Sequence, residues 1–94
     1  MATYFMLGKY TPESLKQVSE ARTTKVLSVI KKLKGRVENV YALLGSYDLV
    51  VIVDLPNVEA AMKASMLLSR LTGIGFISSP AIKVEEFDKL ATAL

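Results

Sequence analysis

The sequence predicts one α+β domain whose elements run β-α-β-β-α-β, with a four-stranded antiparallel sheet and two helices on one face. Three observations carry this expectation. A strand rich in aromatic side chains is followed at once by Thr11-Pro12-Glu13, a strong helix start. Two apolar strands are separated only by Gly45-Ser46-Tyr47, a break so short that the strands must pair as an antiparallel hairpin. A run of Ala, Met and Leu opens on Asn57 and closes on Gly73 and Gly75.

The first strand is read over residues 3–10, Thr-Tyr-Phe-Met-Leu-Gly-Lys-Tyr. Thr11 then serves as N-cap, Pro12 takes the first helical position and Glu13 suits the positive end of the helix dipole. The helix should run to about Lys34, because Leu15, Val18, Arg22, Val26, Val29 and Leu33 recur at steps of three and four. Gly35 is the expected stop. Residues 36–44 and 48–55 read as the second and third strands, the latter centred on Leu49-Val50-Val51-Ile52-Val53. The second helix covers 58–72, with Met62 and Met66, four apart, expected to fill core. Residues 75–84 read as a fourth strand, which Pro80 assigns to an edge or a bulge. Phe87, Leu90, Ala91 and Leu94 share a helical face, so residues 86–94 form a helical tail within the single domain 1–94.

In this ferredoxin-like closure both helices cover one face of the sheet, and the other face should carry polar side chains. It does not. Leu49, Val51 and Val53 oppose Val50 and Ile52; Phe5 and Leu7 oppose Tyr4 and Met6; Val40, Ala42 and Leu44 oppose Tyr41 and Leu43. Two faces are apolar and helices exist for one. A chain that is 51% hydrophobic is therefore expected to cover the second face with another copy of itself, as a homodimer or larger assembly packed face to face into an α+β barrel.

Composition limits the chemistry. There is no histidine and no cysteine, which removes the commonest general base, the commonest metal ligands and disulfides. No cofactor is expected. No apolar run reaches the roughly 20 residues of a membrane span, and Met1-Ala2-Thr3-Tyr4 lacks the pattern of a secretory signal, so a cytoplasmic protein without membrane contact is expected. The net charge of +3 divides unevenly: residues 1–47 hold eight Lys/Arg against three Asp/Glu, and residues 48–94 hold four against six. The excess gathers at Lys31, Lys32, Lys34 and Arg36. Without an aromatic stacking surface this is a weak footprint for nucleic acid, and cations at a helix C-terminus have a dipole role of their own.

Tyr4-Phe5-Met6-Leu7, the segment Tyr41-Ala42-Leu43-Leu44-Gly45-Ser46-Tyr47-Asp48 running into Leu49–Val53, Pro56 and the Ala-rich helix together resemble the GYD-domain family, over about Tyr4 to Phe87. The Gly, Tyr and Asp of the family's name are here Gly45, Tyr47 and Asp48, and Arg22 stands where the family has an arginine. Ser79-Pro80 departs from the threonine-rich strand the resemblance implies. It further implies the dimeric α+β-barrel architecture, shared with ligand-sensing domains of Lrp-type regulators and small cofactor-free oxygenases, and no firmly assigned activity.

Four residues are the candidate site: Arg22, Tyr47, Asp48 and Tyr10. Arg22 interrupts an apolar stripe, so its charge clamps an anionic ligand, snorkels to the surface, or pairs with an acid such as Asp48. Asp48 and Tyr47 are read either as turn residues or as part of a site, on opposite sides of the strand. Topology brings Lys9, Tyr10, the 45–48 hairpin and Gly73–Gly75 to one end of the sheet. A module binding a small, anionic ligand, a cofactor-free enzyme with Asp48 or Tyr47 as acid/base, and a nucleic-acid binder through Lys31–Arg36 are the three functions these residues leave open.

Overall fold

A computed structural model describes residues 1–94. The elements follow as β1 (Ala2–Lys9), α1 (Pro12–Lys16), α2 (Glu20–Lys32), β2 (Arg36–Ala42), β3 (Leu49–Leu55), α3 (Val58–Thr72), β4 (Gly75–Ala81) and α4 (Val84–Ala93). The strands form one antiparallel sheet in the order β2-β3-β1-β4. This is the expected ferredoxin-like order, with β2 and Pro80-bearing β4 at the edges. No helix is long and apolar enough to cross a membrane.

The core lies between the sheet and its two long helices. Tyr4 and Met6 of β1 and Val51, Val53 and Leu55 of β3 pack against Ile30 of α2 and Ala60, Ala61, Ala64 and Leu68 of α3. The alanines let α3 approach the sheet closely. Asn57 caps it by accepting from the Ala60 N–H at 2.9 Å, and Gly73 ends it in the left-handed conformation. Met62 and Met66 do not fill core as expected. They lie on the outer flank of α3 and are exposed, because alanines occupy its inward positions.

The helix expected over 12–34 is two helices. Ser19 has extended backbone angles and its hydroxyl accepts from the Arg22 N–H at 3.0 Å, so α2 begins afresh after Gln17-Val18. The Ser19 hydroxyl takes the place of the backbone acceptor that a continuous helix would have given the Arg22 N–H. Leu15 and Val18, placed on the buried stripe by spacing, are exposed; Val26, Val29, Ile30 and Leu33 carry the packing. At the other end, the left-handed residue is Lys34, at φ 63°, and not Gly35. Gly35 serves a different need: a Cβ there would fall 2.6 Å from the Asp54 carbonyl oxygen.

Beyond the helices, the second face is apolar as expected. Phe5 and Leu7 of β1, Val50 and Ile52 of β3, Tyr41 of β2 and Ile77 of β4 lie on it, with Tyr41 and Ile77 each 53% exposed. In β2 a register shift between Val37 and Asn39 puts Val37 and Val40, three apart, on the same helix-facing side. The C-terminal residues form α4, a fuller helix than the tail expected over 86–94, and every residue of it is exposed.

Candidate functional site

At the end of the sheet where β1 leaves for α1, the start of α2, the end of α3 and strands β2, β3 and β4 enclose a cleft of about 60 Å³. Its walls are mainly apolar: Val18, Val26, Val40, Leu49, Val51, Ile74 and Phe76. Its polar lining is Tyr10, Ser19, Arg22, Thr23 and Thr72. The break between α1 and α2 explains how Arg22 reaches it. Arg22 is the third residue of α2, not a residue three turns down one long helix.

The Arg22 guanidinium donates from Nη1 to the Ser14 carbonyl oxygen at 2.6 Å and lies 5.9 Å from the centre of the Tyr10 ring. The first contact adds a second, charged donor to a carbonyl at the end of α1 that also accepts from the Gln17 N–H at 3.2 Å, and the second is within cation–π range. No carboxylate pairs with it: both ion pairs in the chain belong to Arg36. The internal pair with Asp48, one of the three roles open to this arginine, does not form.

Asp48 is occupied elsewhere. Its Oδ2 accepts from the Tyr10 N–H at 2.8 Å, its own N–H donates to the Gly8 carbonyl at 2.9 Å, and its carbonyl accepts from the Leu43 N–H at 2.8 Å. One residue thus ties the hairpin to the end of β1. Lys9 Nζ adds an exposed contact to the Ser46 carbonyl at 3.2 Å. The Gly45 backbone, at φ 137°, makes the turn that presents Asp48. Tyr47 is half-buried, makes no side-chain hydrogen bond and does not line this cleft. The structure therefore brings Arg22 and Tyr10 together in the cleft, sets Asp48 behind Tyr10 as its anchor, and leaves Tyr47 apart.

Sequence reasoning did not single out Ser14 or Thr72. Ser14 is buried, closes a capping box with Thr11 and offers its carbonyl to Arg22. Its signal was the spacing Thr11-x-x-Ser14, with Ser where Glu or Gln is usual. Thr72 lines the cleft and links the end of α3 to β4, donating to the Leu68 carbonyl at 2.7 Å and accepting from the Ile74 N–H at 3.1 Å.

Two other features stand outside this cleft. On the helix-free face, the buried Asp54 carboxylate accepts from the Thr3 hydroxyl at 2.7 Å and from Arg36 Nη2 at 2.8 Å. The Thr3 hydrogen bond, followed by that from Arg36, holds the Asp54 carboxyl below its ordinary range, and the bond to Asp54 raises Arg36 in turn. Along α3 and β4 runs a shallow groove of about 500 Å³, walled by Val58, Met62, Met66 and Pro80, with Ser65 and Ser78 hydrogen-bonded at 2.6 Å. No group of three His, Cys, Asp or Glu side chains is placed to hold a metal ion.

Comparison with known proteins agrees with this architecture. The GYD-domain profile matches residues 4–91. No curated protein matches the sequence significantly. Among solved structures, TTHA0845 from Thermus thermophilus is 26% identical with a TM-score of 0.59, over 88% of this chain and 95% of that one. The leucine response regulatory protein LrpA of Mycobacterium tuberculosis is 11% identical with a TM-score of 0.58, over 87% of this chain. This chain spans about half the length of that regulator, 51%, so the likeness is one of fold.

Proposed function

The chain belongs to the GYD-domain family, and on that footing we propose that it is a self-associating module that binds a small anionic ligand in the cleft beside α2. One observation carries the reading: Arg22 brings a guanidinium with no acidic partner to the mouth of an apolar cleft. Apolar walls lower the local dielectric and strengthen its attraction for an anion. The guanidinium spends one donor on Ser14 and keeps the others for a carboxylate or phosphate.

The cleft's size defines what enters. About 60 Å³ is room for an anionic head group, well short of the roughly 300–1,000 Å³ of a pocket for a whole metabolite. The body of the ligand therefore lies beyond the α1–α2 break. Self-association is supported by the apolar helix-free face, where Phe5, Leu7, Ile52, Tyr41 and Ile77 form a patch that another copy of the same face would cover.

Thermal unfolding with benzoate and with inorganic phosphate tests the site. An anion present at ten times its Kd should raise the Tm by roughly 6–11 °C, from RT ln(1 + [L]/Kd). Arg22→Gln should remove that rise. Equal shifts in parent and variant would reject the cleft as the site. Sedimentation tests the assembly, and a parent protein that stays monomeric at micromolar concentration refutes it.

A further inference from the structure

Every residue of α4 is exposed, yet the helix is strongly two-sided. Val84, Phe87, Leu90, Ala91 and Leu94 fall on one stripe, with Phe87 59% and Leu90 62% exposed. At about 100° per residue, Glu86 and Asp88 border that stripe on its two sides. The helix projects from the edge strand β4 after only Ile82 and Lys83, and Lys83 is extended. Its projection shows in the shape of the molecule, 48 × 30 × 18 Å, and in a radius of gyration of 14.2 Å, against about 12 Å for a compact domain of this length.

A surface of opposite character lies at the far edge of the sheet. Where α2 turns into β2, Lys31, Lys32, Lys34 and Arg36 follow one another without an intervening acid. Only Arg36 has ion-pair partners, Glu38 and Asp54. Leu27, one helical turn before Lys31 on α2, stays exposed beside them. The strand order β2-β3-β1-β4 sets this corner and the root of α4 on opposite edges. No ion pair joins them within the chain.

We propose that α4 docks on the α2–β2 corner of a second copy, reciprocally, so that two exchanged helices clasp a closed dimer. Charge favours it: residues 84–93 carry three acids and one lysine, net −2, and residues 31–36 carry four cations, net +4. Area favours it as well. Four strands about 4.8 Å apart and about seven residues long give a sheet face of roughly 440 Å² in projection. A standard stable interface takes about 800 Å² from each partner. An apolar helix from each copy enlarges that face. The same pairing explains why the basic excess sits in residues 1–47 and the acidic excess in residues 48–94.

This inference rests on the proposed self-association through the open sheet face, and a charge exchange separates the two. One variant carries Glu86→Lys and Asp88→Lys; the other carries Lys31→Glu and Lys34→Glu. All four positions are exposed, so both should fold, as circular dichroism will show. Sedimentation equilibrium should find each variant alone dimerising about tenfold or more weakly than the parent, because like charges then meet. An equal mixture of the two should regain parental affinity, since every arm then meets its opposite charge. Variants that dimerise as tightly as the parent, or a mixture that regains nothing, would overturn the clasp while leaving sheet-face association standing. A monomeric parent would overturn both.

Discussion

Gly35 offers a sharp test of the packing between α2 and β3. It follows the left-handed Lys34, but its own φ is not left-handed, so alanine costs nothing in backbone conformation. The cost is steric. A Cβ would stand 2.5 Å from Leu55 Cδ2, 2.6 Å from the Asp54 carbonyl oxygen and 3.2 Å from Ile30 Cγ2. Ordinary carbon contacts are about 3.5–4.0 Å, so the new methyl intrudes by about an ångström on two of these atoms. Neither gives way easily. Leu55 and Ile30 are wholly buried, and the Asp54 oxygen belongs to the backbone of an inner strand. Overpacking of this kind costs about 1–3 kcal/mol, offset by roughly 0.4–1 kcal/mol because alanine restricts the unfolded chain. With a backbone atom among those struck, the upper end applies, and Gly35→Ala should lose about 2 kcal/mol. For a domain this small that is a Tm roughly 8–16 °C lower. Gly75→Ala is the control: nothing lies within 4 Å of its Cβ position and its φ is not left-handed, so stability should hold or rise slightly. Urea unfolding followed by circular dichroism measures both, at one protein concentration so that assembly does not distort the comparison. If Gly35→Ala unfolds within about 0.5 kcal/mol of the parent, or Gly75→Ala is equally damaged, the steric reasoning is wrong.

Lys34→Gly should stabilise by about 0.5–1 kcal/mol, because glycine relieves the left-handed strain at φ 63° while giving back part of the gain as chain entropy; a lower urea midpoint would contradict this. Asp48→Ala should cost about 1–3 kcal/mol by orphaning the Tyr10 N–H, whereas Asp48→Asn keeps an acceptor there; amide exchange at Tyr10 should quicken in the first variant only. The Asp54 carboxyl titrates below its ordinary value when folded, so its contribution is complete above the unfolded carboxylate pKa of about 3.9 and fades as pH falls through the folded value. Below about pH 4, Asp54→Asn should therefore show a shallower loss of stability with acid than the parent, and parallel pH profiles would argue against the Thr3–Asp54–Arg36 network.

The parts of the fold that were legible are those where one residue has one use. Asn57 is followed by helix-forming residues and ends in Gly73, so cap, body and stop all agreed with α3 as observed. The first helix misled because periodicity continues across the break: Val18 and Arg22 are spaced like Val29 and Leu33 although α2 starts between Val18 and Arg22. The competing signal was Ser19 followed by Glu20, an N-cap with an acid in the first turn. Gly35 shows a second limit. A glycine after a helix signals either a left-handed turn or close approach of another chain segment, and only Leu55 and Asp54, far along the sequence, decide it. For the cleft, Arg22 and Tyr10 were legible as chemistry out of place, whereas Asp48's attachment to a backbone N–H depends on three elements meeting and leaves no trace in spacing.

The two edges of the sheet have a consequence for what kind of association this chain permits. A protein so apolar risks growing sideways, strand upon strand, into fibrils. The register shift in β2 interrupts its ladder near Glu38, beside charged Arg36, and Pro80 removes a donor from β4. Both rims of the sheet are therefore poor templates for another strand. The proposed association across the broad surface closes after a fixed number of copies, whereas contact at the margins would have no natural end.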